Sequence, residues 1–307
     1  MIEVQELTKR YGELEAVRGL TFSVEAGRIW GLLGPNAAGK TTTMRILTGY
    51  LPATSGRATV AGFDVFDKPD DVKRSIGYLP EVVPLYQDMT VSSYLAFVAE
   101  IKQVPKAKRR AAVDRVVRSA GLGEVSRRLI KNISRGYKQR VGIAQAMIHD
   151  PKVLILDEPT IGLDPAQIRE IRELVRGLRG EHTILLSTHI LPEVTQVCDG
   201  VVIINQGRLM ASGSLADLAA SFAKSDGVLV RLRRVGAEEA DLFRRIPGVD
   251  NVAVEGDEIR IEWPRGRDLR DDVARLVLDK GLGLKEMRSV AGIEDLYMRI
   301  VAGGLEQ

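Results

Sequence analysis

The chain has 307 residues, 45% hydrophobic and 28% charged, and its 44 Lys and Arg stand against 41 Asp and Glu for a net charge of +3. That balance excludes both a disordered chain and a membrane-embedded one, and it makes no demand for a nucleic-acid partner. The single cysteine, Cys198, excludes an intrachain disulfide and a multi-cysteine metal site, and no run approaches the ~18 apolar residues that a bilayer crossing needs.

The length exceeds one comfortable core, so a large domain with a smaller companion is expected. The amino terminus opens on the alternation Ile2, Val4, Leu7 without a basic-then-apolar leader, which predicts a strand and cytoplasmic residence. From residue 2 to about 218, short Val- and Ile-rich runs alternate with longer helical patterns. This is the signature of an α/β domain with a mostly parallel sheet flanked by helices, with strands over 28–33, 152–156 and 183–187. Each of those strands ends where polar residues cluster, and sites in such sheets lie at those ends. Between about 89 and 150 helical periodicity replaces the strands, notably over 91–101 and 109–120, and predicts a helical insertion. After a loosely patterned stretch near 219–226 the order becomes strand (228–234), helix (238–246), strands (249–255 and 258–263), helix (268–280) and strand (284–290). That order, βαββαβ, predicts a small ferredoxin-like α+β domain over 226–302, closed by an amphipathic helix at 293–301.

Gly34, Pro35, Asn36, Ala37, Ala38, Gly39, Lys40 and Thr41 fit GxxxxGK[ST] between an apolar strand and a helix that begins near Lys40, with Thr42 next along it. Phosphates need many donors in a tight concavity. Glycines let backbone N–H groups converge there at a helix N-terminus, Lys40 adds a charge toward the β- and γ-phosphates, and Thr41 can hold Mg²⁺. Ala37 stands where a glycine is common, so strain is expected if that position needs φ > 0. Farther on, the apolar strand ending at Leu156 is capped by two successive carboxylates, Asp157 and Glu158. In phosphoryl transfer the first can hold the metal's water shell and the second can polarise the attacking water.

With these motifs in hand, residues 1–218 resemble the nucleotide-binding subunit of ABC transporters, because further motifs follow in that family's order. Residues 133–140, ISRGYKQR, stand where the family has its LSGGQ signature; they keep Ser134 and Gly136, while Arg135 and Tyr137 replace a glycine and a glutamine. This variant resembles the branch of multidrug and gliding-motility-type exporters. The resemblance implies a P-loop NTPase fold with a helical subdomain and ATP and Mg²⁺ as ligands. It also implies a dimer, of this chain with itself or with a paralogue, in which Ser134 and Gly136 of one chain reach the γ-phosphate held by the other. It implies Asp164, in Gly162-Leu163-Asp164-Pro165, as the D-loop between subunits, and His189 as the switch histidine at the γ-phosphate. Tyr11 resembles the aromatic that stacks on adenine, with an edge-strand tyrosine as the alternative. Glu81 stands for the Q-loop glutamine, a position that senses the metal and the membrane partner, and its carboxylate could itself ligate Mg²⁺ or its water. A separate transmembrane permease follows as partner, with the chain peripheral at the cytoplasmic face of the cell membrane, exporting rather than importing. The rival reading is a soluble ABC ATPase acting on ribosomes or DNA, which the single phosphate loop and the lack of heptads oppose. His149, His182, Trp30 and Trp263 are read as structural, and the basic stretch 106–110 as a solvated helix start.

Overall fold

A computed structural model describes residues 1–222, 226–289, 297 and 300, the side chains of 220–222 excepted. The chain divides into two compact units, Met1–Ser214 and Leu215–Gln307.

The first unit runs β1 (Ile2–Tyr11), β2 (Leu14–Val24), β3 (Ile29–Leu33), α1 (Lys40–Leu47), β4 (Ser55–Val60), β5 (Phe63–Asp64), α2 (Pro69–Ser75) and β6 (Ile76–Leu79). Three helices follow, α3 (Val91–Ile101), α4 (Lys106–Ser119) and α5 (Arg135–Met147). The unit closes with β7 (Val153–Asp157), α6 (Pro165–Gly177), β8 (Thr183–Thr188), α7 (Leu191–Val197), β9 (Gly200–Asn205) and β10 (Arg208–Ser214). Its six-stranded sheet has the order β10-β9-β3-β8-β7-β6 and is parallel except at β10. Strands β3, β7 and β8 are buried along their whole length, as central strands covered on both faces must be.

The expectation of one mostly parallel sheet holds for those six strands only. The opening strands form a second, antiparallel sheet, β2-β1-β4-β5. Alternation predicts a strand but not its partner, and β1 pairs with β4 across nearly fifty residues of intervening chain. Both sheets and α1 enclose one core containing Ile2, Leu7, Leu20, Leu32, Met44 and Leu185. Each such side chain, fully buried, contributes roughly 1.5–3 kcal/mol.

Local chemistry explains the helix starts. Thr90, Ser134 and Asp164 cap α3, α5 and α6 by accepting backbone N–H bonds with their side-chain oxygens. Cys198, just past α7, is buried beside Gly31 of β3, and burial pushes its thiol far up.

The second unit contains α8 (Leu215–Phe222), β11 (Asp226–Leu232), α9 (Ala237–Arg244), β12 (Asn251–Glu255), β13 (Glu258–Trp263), α10 (Arg270–Asp279) and β14 (Leu284–Ser289). The sheet order β12-β13-β11-β14, antiparallel throughout, is the ferredoxin-like arrangement of βαββαβ. Its core gathers Val230, Phe243, Ile259, Ile261, Trp263 and Val273. Of the stretch near 219–226 read as loose, residues 219–222 are the second half of α8 and Asp226 opens β11. The second strand of this unit, expected to start at 249, starts at Asn251, because Val249 N–H still closes a turn onto the Ile246 carbonyl at 3.2 Å. The closing helix expected over 293–301 lies outside the described residues apart from Tyr297 and Ile300, which are helical.

Candidate active site

Strand β3 delivers the chain to Gly34, and the loop 34–39 turns it into α1. Gly39 has φ 101, and a Cβ there would stand 2.6 Å from the Ala16 carbonyl oxygen of β2, so no larger residue fits. Ala37 takes φ 63, the left-handed conformation that costs a non-glycine residue roughly 1–2 kcal/mol. The strain foreseen at that position is present. Lys40 is nearly buried. Its Nζ donates to the carbonyls of Gly34 at 2.9 Å and Pro35 at 3.1 Å, and lies 3.4 Å from Glu158 Oε1. With no acid in the first turn of α1, the helix N-terminus keeps its positive field.

The acidic side of the site lies at the ends of β7 and β8. Asp157 is fully buried; its Oδ1 accepts from Ser187 Oγ at 2.6 Å and, at the limit of bonding distance, from Thr41 Oγ1 at 3.5 Å, while Oδ2 has no partner among the described residues. Burial pushes its carboxyl up, the Ser187 and Thr41 bonds oppose this, and the charges of Glu158 and Glu81 add to the rise. Glu158 leaves the strand with φ 47, a strained turn held by its N–H donating to Ser187 Oγ at 2.9 Å. Its carboxylate faces Lys40 through one oxygen and His189 Nδ1, 3.0 Å away, through the other.

Gly34, Pro35, Lys40, Thr41, Asp157, Glu158 and His189 are thus joined by direct contacts, with Ala38, Asn36 and Ala37 in the same loop and Thr42 on the same helix. Glu81, two residues past β6, acts on Asp157 through its charge. Other sequence candidates stand apart. Tyr11 is 45% exposed, has Lys9 Nζ 5.3 Å from its ring centroid, and lies at the end of β1, which is flanked by β2 and β4 rather than forming a sheet edge. Among the described residues no hydrogen bond links Ser134 or Gly136 to the loop 34–41. Instead Gly136 packs under the Gln167 side chain, and the Arg135 guanidinium occupies the space where a Gly162 Cβ would be. Asp164 caps α6, its Oδ1 accepting from Ala166 N at 3.0 Å and Gln167 N at 2.9 Å.

Sequence reasoning missed three contributors. Ser187 pairs in register with Asp157 across the sheet and serves both carboxylate residues. Ala16 backs the phosphate loop through its carbonyl. Glu193 bonds Thr160 and Thr188. Only Ser187 carried a signal, as a hydroxyl at an apolar strand's end.

The ABC transporter family profile matches residues 17–161. The ABC transporter ATP-binding protein YxlF of Bacillus subtilis (strain 168) is 39% identical over 306 residues, covering 98% of this chain and 99% of that protein. The chain belongs to the ATP-binding subunits of ABC transporters. The daunorubicin/doxorubicin resistance ATP-binding protein DrrA of Streptomyces peucetius is 36% identical over 272 residues, 86% of this chain and 82% of its own length. A solved structure of an ABC transporter ATP-binding subunit matches with a TM-score of 0.66 and 31% identity, over 73% of this chain and 93% of its own. The fold of an ABC cassette, a P-loop NTPase, is therefore this chain's fold, and ATP hydrolysis is the ABC subunit's chemistry. No helix among the described residues is long and apolar enough to cross a membrane.

Proposed function

We propose that this ABC subunit works as one of two ATP-binding chains, identical or paralogous, that close around two ATP molecules and drive a separate transmembrane permease in the export direction. The observation that carries the reading is the set Lys40, Glu158 and His189 at the mouth of the phosphate loop, with Lys40 3.4 Å and His189 3.0 Å from the two oxygens of Glu158. In the proposed reaction Lys40 turns from Glu158 toward the phosphates, Glu158 polarises the attacking water, and His189 holds the γ-phosphate. Tyr11 stacks on the adenine. Ser134 and Gly136, which bond only within their own neighbourhood, serve the ATP of the opposite chain, and Asp164 sits between the two chains. Hydrolysis then depends on dimerisation.

A magnesium ion arriving with ATP fits Thr41 and Asp157, whose Oδ2 is a buried oxygen awaiting a partner, with Glu81 close enough to add charge; bound there, it would neutralise the triphosphate. Export is supported by the drug-resistance role in DrrA's name and by the Arg135 and Tyr137 departures in the signature. For the permease contact we point to the helical subdomain, about 89–150. A groove of about 840 Å³ borders it, lined among others by Lys73, Lys102, Lys108, Arg115 and Ile101. The first unit serves as the ATPase domain, expected over 1–218 and ending at Ser214 in the fold, and the second as an accessory domain. The chain sits peripherally at the cytoplasmic membrane face.

Glu158→Gln tests the reading. ATP should still bind, turnover should fall by roughly 10² to 10⁴, and the protein should sediment as a dimer with ATP and Mg²⁺. Normal hydrolysis by this variant sinks the assignment of Glu158.

A further inference from the structure

Glu193 lies on α7, a short surface helix, yet only 3% of it is exposed. Both of its oxygens are used. Thr160 Oγ1 donates to Oε1 in a short bond, and Thr188 Oγ1 donates to Oε2 at 2.7 Å. Arg172 supplies a counter-charge 4.0 Å from Oε1 and is itself tied to Gln196 Oε1 at 2.6 Å. The partners matter because of where they sit: Thr160 is two residues past Glu158, and Thr188 immediately precedes His189. The Thr188 hydroxyl also accepts the Ile190 N–H at 3.0 Å, so it brackets His189 on both sides.

Backbone pairing between β7 and β8 ends at Asp157 and Ser187. Beyond that point β8 keeps its backbone pairing to β3 through Thr188, but the ends of β7 and β8 are joined to each other by side chains: the direct Glu158–His189 contact, Ser187 from the sheet side and Glu193 from the helix side. A buried carboxylate is costly unless its lone pairs and charge are matched, and an apolar side chain of similar volume would pack α7 at least as well. What the carboxylate adds is geometry.

We infer that Glu193 is a positioning residue of the ATPase reaction: its carboxylate ties the turn carrying Glu158 to the strand end carrying His189 and sets the distance between them. The inference rests on the reading of Glu158 and His189 given above. Displacement of a reacting group by about 1 Å costs on the order of 10² in rate, so a loosened tie should act on turnover rather than on ATP binding.

The test uses the full chain, with steady-state ATPase kinetics and imidazole ¹H–¹⁵N spectra of its three histidines. Glu193→Leu should lower kcat by roughly 100-fold with little change in KM. The His189 resonances should move while those of His149 and His182 stay. Glu193→Gln, which keeps an acceptor for Thr160, should recover most of the rate. A Glu193→Leu protein with wild-type kcat and unmoved His189 signals overturns the inference, and so does a rate loss in which all three histidines shift together. Should Glu193→Leu fail to fold, Thr160→Val removes one anchor only, and an unchanged kcat there overturns the inference. Glu158→Gln runs alongside: normal turnover in it defeats the functional reading, whereas its loss of turnover beside an active Glu193→Leu defeats only the inference.

Discussion

Lys40 Nζ and Glu158 Oε1 stand 3.4 Å apart, both side chains less than a tenth exposed. The phosphate-loop cation and the acidic strand end neutralise each other across the mouth of the site. Removing the lysine should have two separable effects. Lys40→Ala should weaken ATP binding by roughly 100-fold, the worth of a charge-assisted contact. It should also destabilise the ATP-free protein by about 3 kcal/mol, because Glu158 is left buried with less compensation. Calorimetric titration reads the first and thermal unfolding without nucleotide reads the second. An unchanged melting temperature would mean that Glu158 reorients to solvent.

Asp157 offers a test of opposite sign. Its folded-state carboxyl lies above the ordinary value of 3.8, chiefly through burial, so the folded chain holds that proton more tightly than the unfolded chain does. Stability is then lost as pH rises from 3.8 upward, and the ionised form is a liability at neutral pH. Asp157→Asn should raise the melting temperature without Mg²⁺ by about 2–4 °C, as ~1 kcal/mol does in a domain of this size, and abolish turnover. A lower melting temperature would mean that the Ser187 and Thr41 bonds outweigh desolvation.

His149 predicts an acid limit set by a residue outside the phosphate loop. Its Nε2 lies 2.9 Å from the Ile76 carbonyl oxygen, and burial, aided by the Lys102 charge, lowers its pKa from 6.5 to about 4. A depressed folded-state pKa contributes stability above pH 6.5 that is lost as pH falls through about 4. His149→Gln should flatten the fall in melting temperature between pH 6.5 and 4.5; an unchanged slope would assign that loss to other groups.

The two tryptophans fall in different units, Trp30 in the first and Trp263 in the second, both nearly buried. Trp263 fills the ferredoxin-like core and donates its Nε1–H to the Arg267 carbonyl at 2.8 Å. Trp263→Ala should cost the second unit about 3–5 kcal/mol. Followed by Trp30 fluorescence in urea, the first unit should keep its midpoint; a matching fall there would show that the units unfold as one.

What could be read from the sequence was whatever chemistry lies in a contiguous run. The phosphate loop, the Asp157-Glu158 strand end and His189 were visible because a strand, a turn and a helix start follow one another there, and βαββαβ was visible because each element carries its own period. Relations between distant residues were not. Nothing in the pattern around Ile2 announces Val60 as its neighbour in an antiparallel sheet. Glu193, between Pro192 and Val194 in the short helix α7, gives no sign in the sequence of its partners Thr160 and Thr188. Ser134 and Asp164 have caps for company in this chain, so their proposed roles toward a second chain's ATP rest on order and resemblance rather than on contacts.

Cys198 sits at the back of β3 with 7% of its surface exposed and its thiol held protonated by burial. Alkylating and maleimide reagents attack the thiolate, so the native chain should be silent toward them while folded. A cysteine introduced at an exposed position without a role in the site, such as Tyr50, would then be the sole target for a fluorophore or spin label. Distances across the proposed dimer could be followed through the ATP cycle without first removing a native sulfur.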